Sequence, residues 1–349
     1  MQAKISDQQL PWTRKDMADE SRWIHHLTKA EIDDLRNALT VAKKNGADCA
    51  SLNKETFPLD AMLPAIDKTL HHLENDFGIF SLRGFPAAEY NSADLRLIYW
   101  GLGLHMGTAV PQSSKGDLLG DVRDVGDDFS SQTGRGYMSS GELGFHTDTC
   151  DVVGLSVLQI AKQGGSSKIA SSLAIHNEIA QTRPDLLDVL YQPFVWSWKG
   201  YQDEGELPFY FQPVYSVMDG YFCSRHNWPH IYSVQEVPGV PQLSQIQKDA
   251  LALIDTIAER PDMHFEMTFQ PGDYQFLNNH VTYHARTDYV DFPEPERKRH
   301  LIRLWLAVPN SRPLSPMMSA IYRDQTPGAL RGGFPSRASE PVYSTFEDA

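Results

Sequence analysis

The stretch 144-GFHTD-148 places a histidine and a carboxylate two residues apart. Residues two apart on an extended strand point to the same face, so His146 and Asp148 can act together. Such a pair can form one arm of a metal site. By itself such a pair is weak evidence and favours an ordinary surface pair, so it becomes informative only if a further ligand lies elsewhere in the chain.

A second histidine-bearing stretch, 276-FLNNHVTYHAR-286, lies far downstream, begins as a strand-like segment and contains His280 and His284. Two histidines and one carboxylate on one face of an octahedral ion leave three positions open, which is the facial-triad arrangement of non-haem Fe(II) oxygenases. Those positions can accept a bidentate 2-oxo acid and O2. If the two stretches share one ion, the chain must fold so that distant strands lie side by side.

Two arginines stand on the apolar strand-like stretch 299-RHLIRLWL-306. Arg299 and Arg303 are four residues apart and therefore share a face. An arginine that faces inward is costly to bury unless it meets an anion. The stretch predicts an anion-binding pocket, although pairing of both arginines with some of the 45 acidic side chains is the alternative.

Short strand-like segments dominate the chain between residues 152 and 307, and helical patterns dominate its first hundred residues. Met218-Asp219-Gly220 predicts a tight hairpin, since Asp-Gly supplies the positive φ values that such turns need. Many short strands with a few helices favour an antiparallel sandwich or jelly roll, mainly β with packing helices. We predict helices at 28–45, 62–73, 92–104, 173–182 and 243–260, and strands at 77–82, 152–160, 167–171, 194–198, 214–217, 221–224, 265–269, 274–277 and 301–307.

The composition limits which kinds of partner the protein can bind. The 349 residues are 41% hydrophobic, enough for a sizeable core, and the net charge of −14 argues against nucleic acid and anionic membranes as partners. No stretch has the apolar length of a signal peptide or a membrane span. The three cysteines are too few and too widely spaced for a disulfide framework. We expect a cytoplasmic protein that binds a small molecule; a homo-oligomer is also compatible with the sequence.

The stretch from 107 to 144 is rich in Gly, Ser and Asp and has no sustained period. A loop of that length inside a domain is usually functional or disordered. We expect a lid at 113–140 that orders over the site when ligands bind.

Several motifs occur together in one order: the GFP turn at 84–86, FHTD, the GGSS step at 164–167, the QPGD turn at 270–273, and the two stretches quoted above. In this the sequence resembles the taurine dioxygenase and TfdA-like family of Fe(II)/2-oxoglutarate-dependent dioxygenases. The resemblance implies a double-stranded β-helix core, a cupin-like jelly roll, at 77–310. A helical N-terminal elaboration at 1–76 and a C-terminal extension at 311–349 would flank it.

Carried over residue by residue, the resemblance implies that His146, Asp148 and His284 bind the iron. Ser167 and Arg299 would hold the C5 carboxylate of 2-oxoglutarate, and O2 would be the other co-substrate. Arg303 matches a position that contacts the anionic group of the substrate. Further candidates to line the substrate pocket are Gln112, Met138, Phe145, Trp196, Arg225 and Asn227.

Other residues near these motifs have simpler interpretations. We expect His280 to be structural, His300 to pack or hydrogen-bond, and Cys150 to be a small core residue or an oxidation-prone thiol near iron. Gly107 stands where taurine dioxygenase has a histidine, which disfavours a taurine-like sulfonate.

The resulting expectation is an enzyme that oxidises a C–H bond of a small anionic substrate, such as an amino acid or another carboxylate. Hydroxylation, desaturation and cyclisation all remain open outcomes, each with decarboxylation of 2-oxoglutarate to succinate. Two alternatives also remain open. One is a non-catalytic jelly-roll protein whose metal is structural or lost, and the other is a zinc hydrolase that uses the same ligands.

Overall fold

A computed structural model describes residues 4–6, 9–124 and 139–345 of the chain. Its strands are β1 (Ile24–His26), β2 (Ile79–Arg83), β3 (Thr108–Ala109), β4 (Leu119–Val122), β5 (Leu143–His146), β6 (Val152–Gln159), β7 (Gln163–Gly164), β8 (Ser167–Ser171), β9 (Pro193–Ser197), β10 (Phe209–Pro213), β11 (Tyr215–Met218), β12 (Tyr221–Ser224), β13 (His264–Met267), β14 (Tyr274–Asn278), β15 (Thr282–Arg286), β16 (Tyr289–Val290) and β17 (His300–Ala307). Its helices are α1 (Lys29–Lys44), α2 (Leu63–Asn75), α3 (Ser92–Met106), α4 (Ser172–Thr182), α5 (Pro184–Leu190), α6 (Trp228–Tyr232), α7 (Gln245–Ala258) and α8 (Ser319–Tyr322).

Two sheets form the β core. The larger has the strand order β1-β2-β14-β6-β17-β3, with β4 also paired to β17, and the smaller has the order β13-β8-β15-β5. Every pairing in them is antiparallel except that of β1 with β2. Side chains from both sheets enter one apolar cluster and line one cavity. The jelly-roll core that the sequence predicts is therefore confirmed.

Strand β17 shows why its sequence is almost continuously apolar. All eight of its residues are buried, because the strand has protein on both faces. Arg303 and Trp305 point into the space between the two sheets, where Arg303 lines the cavity and Trp305 joins the apolar cluster. Ile302 and Leu304 point the other way, into a second apolar cluster formed with the helices. The alternation of the strand thus separates a functional face from a structural face.

Helices α1, α2 and α3 cover the outer face of the larger sheet. Helix α1 begins with the capping box that the sequence predicts, in which Thr28 and Glu31 exchange hydrogen bonds. Buried residues of the three helices share one apolar cluster with residues of β2, β6, β14 and β17. Helices α4 and α7 cover the smaller sheet in the same way, through contacts with β5, β8 and β15. The division of the chain at residues 76 and 310 stays a prediction.

The turn between β11 and β12 confirms the predicted hairpin. The two strands pair antiparallel, with Met218 opposite Tyr221. Asp219 and Gly220, the two central residues, have φ values of 51° and 83°. These positive values are the reason for the Asp-Gly sequence.

The predicted lid needs a correction at its start. Residues 119–122, which belong to the predicted lid, form β4 and pair with β17 inside the larger sheet. Four residues that include a glycine and an aspartate, LGDV, carry too little periodicity for a strand to be predicted there. Residues 125–138 lie outside the described part of the chain, so a lid there stays a prediction.

Among the described residues, no helix combines the length and the apolar character that crossing a membrane requires.

Candidate functional site

The pairing of β15 with β5 brings the two histidine stretches together. His284 lies directly opposite His146 across the antiparallel pair, and their ring centroids are 4.2 Å apart. Asp148 follows two residues after His146, and its Oδ2 lies 3.8 Å from His284 Nε2. One ligand atom from each of the three residues lies within 4.8 Å of the others. Within the described ranges this is the one group of His, Cys, Asp or Glu side chains with metal-site spacing.

The surroundings of His146 and His284 keep both side chains as neutral imidazoles. His146 Nδ1 donates to the carbonyl of Gly144 at 2.9 Å, which leaves the lone pair of Nε2 free for another partner. Burial lowers the pKa of His146. Burial, together with the neighbouring His146, lowers the pKa of His284 to about 3. Both rings therefore stay deprotonated at neutral pH, as a metal ligand requires.

Asp148 is only 6% exposed, yet it is held as a carboxylate. Its Oδ2 accepts a hydrogen bond from Trp305 Nε1 at 3.0 Å, and its Oδ1 lies 3.5 Å from Arg303 Nη1. Its backbone N–H donates to Asn279 Oδ1 at 3.0 Å. Burial raises the pKa of Asp148, but the charge of the nearby Arg303 and the hydrogen bond from Trp305 outweigh this, and the pKa falls below its usual value.

A cavity of about 60 Å³ opens from the three residues into the space between the sheets. That volume corresponds to about four to six water molecules, so it suits a small ligand. Its walls are largely apolar, and its polar lining is provided by the three residues above and by Ser167, Gln275, Arg286, Arg299 and Arg303.

Arg299 is 3% exposed and lines this cavity. Its Nη1 has no hydrogen-bond partner among the described residues, and its guanidinium stacks on Tyr289 at 5.0 Å. Burial, and then the proximity of Arg286, lowers the pKa of Arg299 to about 10. A side chain on Gly165, which has a φ of 74°, would come within 3.2 Å of Arg299 Nε. The glycine step before Ser167 therefore leaves room for this arginine.

Arg286 is a charged residue of this pocket for which the motifs predict no role. It is 6% exposed, and its Nη2 donates to the carbonyls of Ser139, at 2.7 Å, and of Gly141. Its Nε and Nη1 have no partner within the described residues, and its guanidinium stacks on the same Tyr289 ring at 4.9 Å. The signal was present in the sequence, because Arg286 stands two residues after His284 and must share its face of β15.

The residues present fit an iron ion with a dicarboxylic 2-oxo acid. Two neutral imidazoles and one carboxylate form a facial ligand set of the kind that Fe(II) oxygenases use. The buried guanidinium groups of Arg286 and Arg299 carry donors without partners, and such groups are stable in a dry pocket only beside an anion.

Gln112 and Phe145, both predicted to line the substrate pocket, lie elsewhere. The Gln112 amide donates to the carbonyls of Leu118 and Arg303 and accepts from Arg303 Nε at 2.8 Å, so its groups are engaged in holding Arg303. Phe145 alternates with His146 on β5, is 3% exposed and packs against His264 with ring centroids 5.6 Å apart. It belongs to the apolar core, not to the wall of the cavity.

Arg225 and Asn227 flank the residues around Asp148 without lining the cavity. Arg225 is 1% exposed, stacks over Trp196 at 4.7 Å, and donates to the hydroxyls of Tyr210 and Thr149. Asn227 Nδ2 donates to the carbonyl of Thr147 at 3.4 Å, and its Oδ1 is buried without a partner among the described residues. Met138 lies outside the described residues.

His280, His300 and Cys150 have structural surroundings. His280 Nε2 lies 2.8 Å from Asp151 Oδ1, away from the three clustered residues, and His300 Nε2 lies 2.7 Å from Asp121 Oδ1. Cys150 is fully buried, and its burial raises the pKa of the thiol well above the usual value. A protonated thiol of this kind is a poor nucleophile, which favours the core role.

The sequence of this chain matches the model of a known protein family. The sequence model of the taurine catabolism dioxygenase TauD, TfdA family matches residues 42–305. The chain is 30% identical to FR-33289 synthase of Streptomyces rubellomurinus over 304 residues, which cover 86% of this chain and 90% of that one. It is 27% identical to a taurine hydroxylase-like protein of Stachybotrys chartarum over 315 residues, which cover 86% of this chain and 79% of that one.

Solved structures share the fold at low sequence identity. Asparagine oxygenase in complex with Fe(II), 2S,3S-3-hydroxyasparagine and succinate aligns with a TM-score of 0.64 at 16% identity, over 81% of this chain and 93% of that one. The non-heme iron oxygenase OrfP, in complex with Fe and alpha-ketoglutaric acid, aligns with a TM-score of 0.59 at 14% identity, over 81% of this chain and 93% of that one.

Proposed function

The chain belongs to the taurine catabolism dioxygenase TauD, TfdA family, and from that premise we propose that it oxidises a C–H bond of a small anionic substrate, a free amino acid or a related carboxylate. As a member of this family it is a non-haem iron dioxygenase that uses Fe(II), 2-oxoglutarate and O2. The observation that carries the proposal is one cavity lined by His146, Asp148 and His284 and by two buried arginines, Arg286 and Arg299, that keep donor atoms without a partner among the described residues.

We assign His146, Asp148 and His284 to the iron, and Arg299 with Ser167 to the distal carboxylate of 2-oxoglutarate. Arg286 would add a second guanidinium beside that carboxylate. When bound, iron with 2-oxoglutarate and O2 supplies the oxidising power that breaks the C–H bond.

The chain's own residues position and protect this chemistry. The carbonyl of Gly144 keeps the proton of His146 on Nδ1, while Trp305 and Arg303 hold Asp148 ionised and oriented. Apolar walls that include Leu155 exclude bulk water and strengthen each electrostatic contact in the cavity.

The arginines also support an anionic substrate. Arg303 is 8% exposed and lines the cavity, and its Nη1 lies 3.5 Å from Asp148 Oδ1. Arg225 is fully buried nearby, with hydroxyl and ring partners but no carboxylate within the described residues. Among the similar solved structures, asparagine oxygenase holds a hydroxyasparagine, and another structure of OrfP holds Fe, succinate and (3S)-hydroxy-L-Arg. These bound amino acids favour an amino acid here.

A taurine-like sulfonate remains disfavoured. Gly107 stands where taurine dioxygenase has a histidine, and a Cβ built on Gly107 would lie 2.4 Å from the carbonyl oxygen of Ala307. No side chain fits there unless the end of β17 shifts. A histidine contact to a sulfonate therefore has no place at this position.

The test is succinate release. We expect purified protein with Fe(II), 2-oxoglutarate and air to form succinate, faster when the correct acid from an amino-acid and carboxylate panel is added. Anaerobic Fe(II) and then 2-oxoglutarate should give a weak charge-transfer band in the visible. His146→Ala and Asp148→Ala should lose both signals, whereas His71→Ala, at an exposed histidine on α2, should keep them.

The outcomes separate the alternatives. Full turnover in both His146→Ala and Asp148→Ala would remove the assigned iron ligands. A wild-type protein with no band and no succinate would favour a non-catalytic binding protein. Activity that needs no O2 would favour a zinc hydrolase.

A further inference from the structure

Residues 331–334, Arg-Gly-Gly-Phe, lie beyond the part of the chain that matches the family and pack against the segment that carries Asp148. The family match ends at residue 305, whereas β17 ends at Ala307. We call residues 331–334 the C-terminal clamp. Three independent contacts join it to residues 148–151 and to Trp305.

The first contact is a buried ion pair. Arg331 Nε donates to Asp151 Oδ1 at 2.8 Å, and both side chains are 1% exposed or less. Arg331 Nη2 also donates to the carbonyl of Arg312 at 2.7 Å. Breaking a buried pair of this kind is far more costly than losing a surface pair, so the ion pair fixes the end of the Asp148 segment.

The second contact joins two backbones. The N–H of Gly333 donates to the carbonyl of Thr149, the residue after Asp148, at 2.6 Å. Gly332 and Gly333 have φ values of 82° and 70°. A Cβ on Gly332 would lie 2.9 Å from the Thr149 carbonyl oxygen, and one on Gly333 would lie 2.8 Å from that of Pro111. Both positions require glycine, for the backbone angle and for the close approach.

The third contact reaches the Asp148 carboxylate through a tryptophan. Phe334 is 5% exposed and packs on Trp305, with ring centroids 6.0 Å apart, and on Tyr201 at 4.6 Å. Trp305 Nε1 in turn donates to Asp148 Oδ2 at 3.0 Å. Phe334 therefore supports the Trp305 indole, which orients the Asp148 carboxylate. Its effect on Asp148 is indirect, through Trp305.

We propose that the C-terminal clamp is a positioning element of the iron site: it holds Asp148 within reach of His146 and His284, so that metal affinity depends on residues 331–334. The proposal rests on the proposed function, since it takes Asp148 to be an iron ligand. Partners that orient a metal ligand typically contribute about 10–100-fold to metal affinity. Phe334 is the best residue to change, because its ring packs on Trp305 and Tyr201, whereas the ion pair and the backbone contact of the clamp are made by Arg331 and Gly333.

The experiment measures Mn(II) binding to the full chain, without 2-oxoglutarate, by the loss of the free Mn(II) EPR signal. Phe334→Ala should bind Mn(II) at least about tenfold more weakly than the wild type. Phe334→Tyr, which keeps the ring on Trp305, should restore the affinity to within about threefold of the wild type. Leu39→Ala is the matched control: Leu39 is buried on α1 in the helical layer, so its loss lowers the Tm without touching the site.

Each outcome decides something. If Phe334→Ala binds Mn(II) as tightly as the wild type, the clamp has no positioning role. If Leu39→Ala weakens binding as much as Phe334→Ala at a similar fall in Tm, the effect is general destabilisation, and the proposal is overturned. If the wild type itself does not bind Mn(II), or if Asp148→Ala binds it equally well, the proposed function fails and the clamp proposal falls with it.

Discussion

At the scale of single residues, the two buried arginines Arg286 and Arg299 lead to a prediction about the co-substrate. Arg299→Gln should raise the 2-oxoglutarate concentration for half-maximal succinate formation at least about tenfold, since a charge-assisted hydrogen bond contributes about 1.5–3 kcal/mol. Arg286→Gln should raise it too, because its Nε and Nη1 lie unpaired in the same pocket. Steady-state kinetics measure this, with Arg183→Gln as the control because Arg183 is exposed and pairs with Asp185.

An unchanged 2-oxoglutarate requirement in Arg299→Gln would contradict the assignment of that arginine. An effect in Arg299→Gln alone would leave Arg286 with only its second task, which is to hold the carbonyls of Ser139 and Gly141.

The sequence predicts those site residues that stand within one local motif, and it does not predict contacts between distant segments. The spacing in FHTD and the apolar strand around Arg299 predict those residues, and the fold brings them to one cavity. The partners that orient Asp148, namely Trp305 and Asn279, come from distant segments, and no local spacing reports such contacts. The prediction that Phe145 lines the pocket is wrong for another reason. Phe145 and His146 are consecutive on a strand, so their side chains must point to opposite faces.

At the scale of elements, β17 predicts that stability and function separate along one strand. Leu304 is fully buried against α3, where its Cδ2 lies 2.4 Å from a Cβ built on Gly103. Leu304→Ala should reduce the free energy of unfolding by about 2–5 kcal/mol, as expected for a large-to-small change in a core. The 2-oxoglutarate requirement should stay the same, because Leu304 faces the helices and not the cavity.

Denaturant unfolding and steady-state kinetics on the same preparation test this separation. A large rise in the 2-oxoglutarate requirement of the folded Leu304→Ala protein would show that the two faces of β17 are coupled.

The elements that the sequence predicts best are those with a strong local signal. Helix α1 has its capping box, and the hairpin between β11 and β12 has Asp-Gly. Among the strands that the sequence does not predict, β4 and β10 carry no clean alternation, and they exist through pairing with β17 and β9. Pairing partners of this kind lie far apart in the sequence, so periodicity cannot reveal them.

At the scale of the whole molecule, charge is divided between surface and interior. The net charge of −14 predicts an acidic exterior, yet four arginines near His146, Asp148 and His284 are buried. These are Arg225, Arg286, Arg299 and Arg303. Composition gives only the sum of the charges, whereas the fold decides which of them meet a ligand. Three of the four, Arg286, Arg299 and Arg303, line the cavity between the two sheets, so an acidic protein can still hold positive charge at the place proposed for its anionic ligands.

Buried neutral histidines make the stability of the whole molecule sensitive to mild acid. Burial lowers the pKa of His280 to about 4 and, with the nearby Arg225, that of His230 to about 3. His280 is 1% exposed, with Asp151 at its Nε2 and Cys223 Sγ 3.2 Å from its Nδ1. In the unfolded chain these histidines take up protons near pH 6.5, about the ordinary pKa of histidine. The unfolded state therefore binds more protons than the folded state below that pH.

Because the folded pKa is depressed, the stability from His280 is complete above about pH 6.5 and is lost as the pH falls towards about 4. One such group contributes up to about 1.4 kcal/mol per pH unit to the slope. His280→Gln should therefore lower the slope of unfolding free energy against pH by up to that amount between about pH 6.5 and pH 5. Urea unfolding at several pH values, with a chelator present throughout, measures both slopes. Equal slopes would mean that His280 is already protonated in the folded protein, and that its pairing with Asp151 outweighs burial.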